Sequence, residues 1–298
     1  MDIFAGQLIN GLSLSSIFLL LALGLNITFG LMGIINFAHG EFMMIGAYAT
    51  YAFQKMTLHF LGDLAYFLSI PIAFLTVGIV GFVTERTMVR HLYKNAYGSI
   101  LATWGLSLVL MQALRLIFGH SNVQIISPAL FSQAIPLWGN VQVPVSRLFI
   151  FILCLAVMGA IFFLMFKTRF GRLMQAVMQN RPIAACMGIN TAKIDTLTFA
   201  LGSGVAGIAG SAITLLGAVG PEAGQNYIVD CFMVVCLGGI GGVGGTVAGA
   251  LVMGIANPFI EYATSASMGK VLLFALIIIF LHFKPAGLVP RKTRALES

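Results

Sequence analysis

The stretch Gly24-Leu-Asn-Ile-Thr-Phe-Gly-Leu-Met-Gly-Ile-Ile-Asn-Phe-Ala-His-Gly-Glu-Phe-Met-Met-Ile-Gly-Ala-Tyr48 is apolar almost throughout, yet it carries Asn36, His39 and Glu41 near its centre. Hydrocarbon offers no partner to a polar side chain or to irregular backbone. A glycine-rich break of this kind must be enclosed by protein or line a cavity. The stretch therefore points to a polytopic membrane protein built for passage more than for anchorage.

Composition agrees. Of 298 residues, 59% are hydrophobic and 8% charged, with a mean hydropathy of +1.00. Soluble domains carry about 25% charged residues. At roughly 20 apolar residues per helical crossing, the chain has room for eight or so crossings in one integral domain, with no segment left for a soluble catalytic domain. Met1-Asp2-Ile3 lacks a positive n-region, so the first apolar run reads as a retained helix. Cys154, Cys186, Cys231 and Cys236 show neither a CxxC pair nor a metal spacing and read as small core residues.

Crossings are expected near residues 7–30, 38–54, 64–84, 98–118, 147–166, 196–218, 228–240, 246–260 and 269–283. Cations fall between them: Arg86, Arg90 and Lys94; Lys167, Arg169, Arg172, Arg181 and Lys193; Lys284, Arg291, Lys292 and Arg294. The positive-inside rule makes these segments cytoplasmic, whereas 119–146, which holds Pro128, Pro136, Trp138 and Pro144 but no Lys or Arg, faces outward. The N-terminus then lies outside and the C-terminus inside.

Small residues mark close helix contacts. Gly202, Ala206 and Gly210 share one face, as do Gly245 and Gly249, and helix packing accounts for both sets. Leu31-Met-Gly-Ile34 and Leu237-Gly-Gly-Ile240 form a weak internal echo, of the kind seen where two repeats each contain a broken helix. The segment 167–195 is too long for a simple turn and reads as two short helices. Met174, Val177 and Met178 form an apolar stripe, Pro182 suits a first helical position, and Gly188 suits a C′ position. An Ala184/Ala185/Gly188 surface suits the groove of a cytoplasmic partner; a helix lying on anionic lipid is the alternative.

Taken together, Asn36-Phe-Ala-His-Gly-Glu41, the 170–190 segment and Gly238-Gly-Ile-Gly-Gly-Val-Gly-Gly-Thr246 resemble the permease subunits of ABC importers in the branched-chain amino acid and urea group. The resemblance implies an all-α integral membrane permease of about 8–10 transmembrane helices, a single domain over 1–298, with a coupling loop at 167–195. It implies a second related permease in a heterodimer, cytoplasmic ATPase subunits, a periplasmic solute-binding protein and a place in the bacterial inner membrane, without nucleic acid, cofactor or metal. Arg172, Arg181, Ala184, Ala185 and Gly188 would couple to the ATPase. The familiar Glu-Ala-Ala of such loops is replaced by Pro182-Ile183-Ala184 at the same distance from Gly188.

Gly220-Pro-Glu-Ala-Gly-Gln-Asn-Tyr-Ile-Val-Asp-Cys-Phe-Met-Val-Val235 resembles the urea branch more than the amino acid branch, so urea or a short amide is the expected solute and a branched-chain amino acid the alternative. Asn226, Tyr227 and Asp230 would then stand at the outer mouth of a helix and offer hydrogen bonds to a small neutral solute. Capping by Asn226 and a dipole contact by Asp230 would be ordinary structural roles. Asn36 and His39 join them as pathway candidates. Asn36 also fits a helix cap, and helical geometry turns Glu41 about 200° from His39. Two rivals belong to other classes: an intramembrane enzyme using His39, Glu41 and Asp230, and a passive channel. Gly239-x-Gly-x-x-Gly244 imitates a dinucleotide fingerprint without its βαβ context, and Gly269-Lys270-Val271 is no Walker A loop, so ATP hydrolysis belongs to another chain.

Overall fold

The computed structural model describes residues 2–93, 95–138 and 141–289. Lys94 and the tail cations Arg291, Lys292 and Arg294 lie outside the described residues. The helices are α1 (Asp2–Met32), α2 (His39–Leu61), α3 (Leu64–Thr87), α4 (Ala96–Phe118), α5 (Val145–Lys167), α6 (Arg169–Gln179), α7 (Arg181–Cys186), α8 (Thr191–Ile213), α9 (Ala223–Gly238), α10 (Val243–Ala263) and α11 (Ala266–Phe283). An antiparallel hairpin, β1 (Ala134–Trp138) with β2 (Val141–Pro144), occupies the proline-bearing segment before α5, where the sequence pattern showed only a loop.

Among the described residues, seven helices are long and apolar enough to cross a membrane: α1, α3, α4, α5, α8, α10 and α11. The other two expected crossings fall on α2, whose apolar run is diluted by His39, Glu41 and Gln54, and on α9. At 16 residues, α9 spans about 24 Å, short of the roughly 30 Å hydrocarbon core.

Two helices form the centre. α1 and α8 are largely buried, and α4 and α11 largely exposed. α1 runs antiparallel to α10, with Ser15 against Gly254 at one level and Gly30 against Gly241 near the other end. α8 runs antiparallel to α3 in the same manner, from Tyr66 with Ser211 to Glu85 with Thr196. At the crossing of α1 and α8, a Cβ on Gly24 would lie 2.5 Å from the Gly202 carbonyl oxygen, and one on Gly202 would lie 2.7 Å from that of Gly24. Side chains are excluded there because the backbones themselves touch.

The same reciprocity joins Gly40 of α2 to Gly224 of α9. Each central helix ends in a break followed by a helix that starts inside the bundle: α1 leads to α2, and α8 to α9. The chain is thus two similar halves, α1–α4 and α8–α11, joined through α5–α7. The Leu31–Ile34 break therefore corresponds to residues 214–222. Leu237–Ile240, its expected echo, instead joins α9 to α10. The order and contacts of whole helices outweigh a four-residue likeness.

Candidate functional site

The break after α1 turns back into the bundle. Gly33 takes φ +64°, which favours glycine, and residues 33–38 run without helix. Thr103 on α4 supports this irregular backbone: its hydroxyl lies 3.2 Å from the donating Phe37 N–H. Asn36 Oδ1 accepts from Ala38 N–H at 3.0 Å. Ala38, not Asn36, holds the N-cap position of α2 and gives no side-chain cap. Asn36 lies two residues before that position, and its side chain closes a tight turn ahead of the helix.

His39 is fully buried and its Nε2–H donates to the Leu21 carbonyl at 3.1 Å. Gly24 makes room for the ring, which a Cβ there would meet at 3.1 Å. α2 therefore starts beside the middle of α1, about 12–16 Å short of its end at 1.5 Å per residue. Glu41 points the other way and accepts from Ser107 Oγ of α4 at 3.4 Å. Asn36 Nδ2, His39 Nδ1 and Glu41 Oε2 are buried and have no hydrogen-bond partner among the described residues. With Gly40 against Gly224, the positive ends of α2 and α9 meet inside the bundle.

α9 begins earlier than the apolar pattern suggested, since the turn at Gly220-Pro221 ends at Glu222, its N-cap residue. Asp230 consequently lies mid-helix, away from any mouth, and Asn226 caps nothing. Asp230 is buried, 3.5 Å from Lys270 Nζ of α11. Tyr227 meets Phe18 of α1 edge-on at 6.5 Å, while Asn226 is exposed. His39, Glu41 and Asp230 thus face α1, α4 and α11 respectively. They do not converge, and acid–base catalysis needs its groups within reach of one substrate. No group of three His, Cys, Asp or Glu among the described residues is placed to hold a metal ion. The Gly239–Gly244 turn is held by the protein itself, with Asn26 Oδ1 accepting from Gly241 N–H at 2.7 Å.

At the end of the bundle where α1, α3 and α5 finish, two short helices form from local signals. Thr168 Oγ1 caps α6 through Gly171 N–H at 3.1 Å, Asn180 Oδ1 caps α7 through Ile183 N–H at 3.0 Å, and Pro182 sits in the first turn. Gly188 closes α7 with φ +81°, and Ile189 N–H returns to the Ala184 carbonyl at 3.1 Å. Met174, Val177 and Ala184 are buried, which corrects the expected Ala184 surface. Arg172, Ile183, Ala185, Met187 and Gly188 face outward.

A polar network roots this pair of helices. Arg181 is ion-paired with Asp195 of α8, and its guanidinium lies 4.5 Å from the centre of the Tyr93 ring. Tyr93 Oη donates to Glu85 Oε1 at 2.7 Å, and Thr196 Oγ1 to Glu85 Oε2 at 2.5 Å. Arg90 reaches Thr196 Oγ1 at 2.8 Å and Glu85 at 3.4 Å. Burial, then the bond to Glu85, pushes the Tyr93 phenol upward, so it stays a donor. Glu85, Tyr93, Asp195 and Thr196 were missed as candidates. The signal was an acid at each intracluster end of an apolar run, a placement that is costly without a partner.

Buried, interrupted helices among membrane-length ones, with a rooted pair of short helices at one end, define a polytopic transport permease. The profile of a family described as branched-chain amino acid transport system / permease component matches residues 7–281, and the chain belongs to that family. It is 29% identical to the high-affinity branched-chain amino acid transport system permease protein BraD of Pseudomonas aeruginosa, over 96% of this chain and 95% of BraD. It is 28% identical to LivH of Escherichia coli K12, over 97% and 96%, and 24% identical to LivM of the same organism, over 93% and 69%. No solved structure matches the chain. These relatives favour the amino acid alternative over the urea branch that residues 220–235 suggested.

Proposed function

We propose that this chain is one permease subunit of an ABC importer for branched-chain amino acids in a bacterial inner membrane. The observation that carries the proposal is similarity along nearly the whole chain to permeases of such systems. A second permease, related as LivM is to LivH, completes the conduit; a binding protein delivers solute outside, and separate ATPase subunits act inside. The cationic 167–195 segment is cytoplasmic by the positive-inside rule, which places the C-terminus inside as well. The outward face of α6 and α7, with Arg172, Ala185 and Gly188, contacts the ATPase, Arg181 fastens it to α8 through Asp195, and Ala184 is buried beneath it.

Asn36 and His39 shape the break between α1 and α2, so pathway contact passes to the surfaces that this break sets. Asn226 lies in the first turn after the second break, Tyr227 braces α9 against α1, and Asp230 ties α9 to Lys270 of α11.

The test is leucine accumulation in proteoliposomes holding both permeases and the ATPases, with binding protein and leucine outside and ATP inside. Accumulation against a gradient, abolished without ATP or without binding protein, is expected. Equilibration independent of ATP would support a passive channel instead.

A further inference from the structure

A cavity lies at the opposite end of the bundle from α6 and α7, where the starts of α1, α5 and α11, the end of α10 and the segment after α8 come together. Its volume is about 470 Å³, within the range of small-molecule sites. One wall presents Arg147 of α5 and another Glu261 of α10, and Leu14, Leu216 and Pro258 supply apolar surface between them.

Both charges are half-buried, and neither is in an ion pair among the described residues. Each is held by an amide: Arg147 Nη1 donates to Asn10 Oδ1, and Asn257 Nδ2 donates to Glu261 Oε1 at 3.1 Å. An unpaired charge in a partly desolvated wall is costly unless something pairs with it. Two opposite charges on the walls of one cavity fit a ligand that carries both signs.

We infer that this cavity is an entry site for a zwitterionic apolar amino acid, with Arg147 binding the α-carboxylate, Glu261 the α-ammonium, and Leu14, Leu216 and Pro258 the branched side chain. The guanidinium fork suits a carboxylate, and a carboxylate accepts from an ammonium. Urea, neutral and without an aliphatic part, would use neither charge nor wall. The inference rests on the amino acid reading above and locates where the solute first meets this chain.

The test uses the assembled importer in nanodiscs, carrying Leu216→Cys with Cys186→Ser and Cys236→Ser, and measures the rate of maleimide labelling. Millimolar leucine is expected to slow labelling several-fold. Isopentylamine, which lacks the carboxylate, and 4-methylpentanoate, which lacks the ammonium, are expected not to. Arg147→Gln or Glu261→Gln in the same background should remove protection by leucine, while Arg147→Lys retains part of it. Equal protection by all three compounds, or none by leucine, would overturn the site. If the unaltered importer accumulates leucine in proteoliposomes while leucine gives no protection in nanodiscs, the site fails and the importer reading stands. If it accumulates no leucine, the importer reading fails with it.

Discussion

Gly24 and Gly202 set the separation of the two most buried helices, and their effect can be measured one residue at a time. A side chain at Gly202 would meet the Gly24 carbonyl at 2.7 Å and Thr28 Cγ2 at 2.8 Å. Overpacking of this kind costs about 1–3 kcal/mol or more. Gly202→Leu is expected to lower the thermal midpoint of the detergent-solubilised protein. Gly105→Leu on α4, where a Cβ has open space, should leave it unchanged. Thr196→Val removes a hydroxyl from the fully buried Glu85 and should destabilise by about 1–3 kcal/mol, read as a lower midpoint. Thr196→Ser should restore most of the loss. At this scale the sequence disclosed which polar residues were out of place, Asn36, His39 and Glu41 among them. It did not disclose the partners of His39 and Glu41, because Leu21 and Ser107 are remote in the chain and carry no pattern that aims them.

The pair α6 and α7 is the element to which the proposed function assigns coupling. Its two helices, the Pro182 start and the Gly188 stop could be read locally, since caps and glycine turns act over a few residues. Its attachment through Arg181, Asp195, Tyr93 and Glu85 could not, being a tertiary meeting of three segments. Removing Arg181 leaves Asp195 buried beside no cation of its own. Arg181→Ala is expected to reduce ATP-driven leucine uptake and lower the thermal midpoint, and Asp195→Asn in the same chain should recover stability without recovering uptake. Met187→Asp, on a side chain that is 77% exposed, should leave the midpoint unchanged while reducing the ATPase recovered with the permease. Equal ATPase recovery would remove α7 from the docking surface.

Across the whole molecule, mean hydropathy and the spacing of apolar runs were enough to place every long helix, because the hydrocarbon thickness dictates helix length. The relation between the halves was legible only in kind: a broken helix in each half was anticipated, but its position came from packing. α2 starts at His39, one residue from the expected boundary, whereas α9 starts at Ala223, ahead of the expected 228, because its first turn carries too little apolar signal to be read as helix. Sidedness has a native probe in Cys186, which is exposed at the end of α7 and not the core residue that its sequence setting suggested. It should resist a membrane-impermeant maleimide in intact spheroplasts and react in inverted vesicles; the reverse pattern would invert the orientation.

The most direct measurement is uptake of radiolabelled leucine and of radiolabelled urea by energised cells with and without this chain, each with excess unlabelled competitor. Loss of leucine uptake on deletion, restored by the chain and with urea uptake unchanged, is the predicted result. Loss of urea uptake with leucine uptake intact would contradict it.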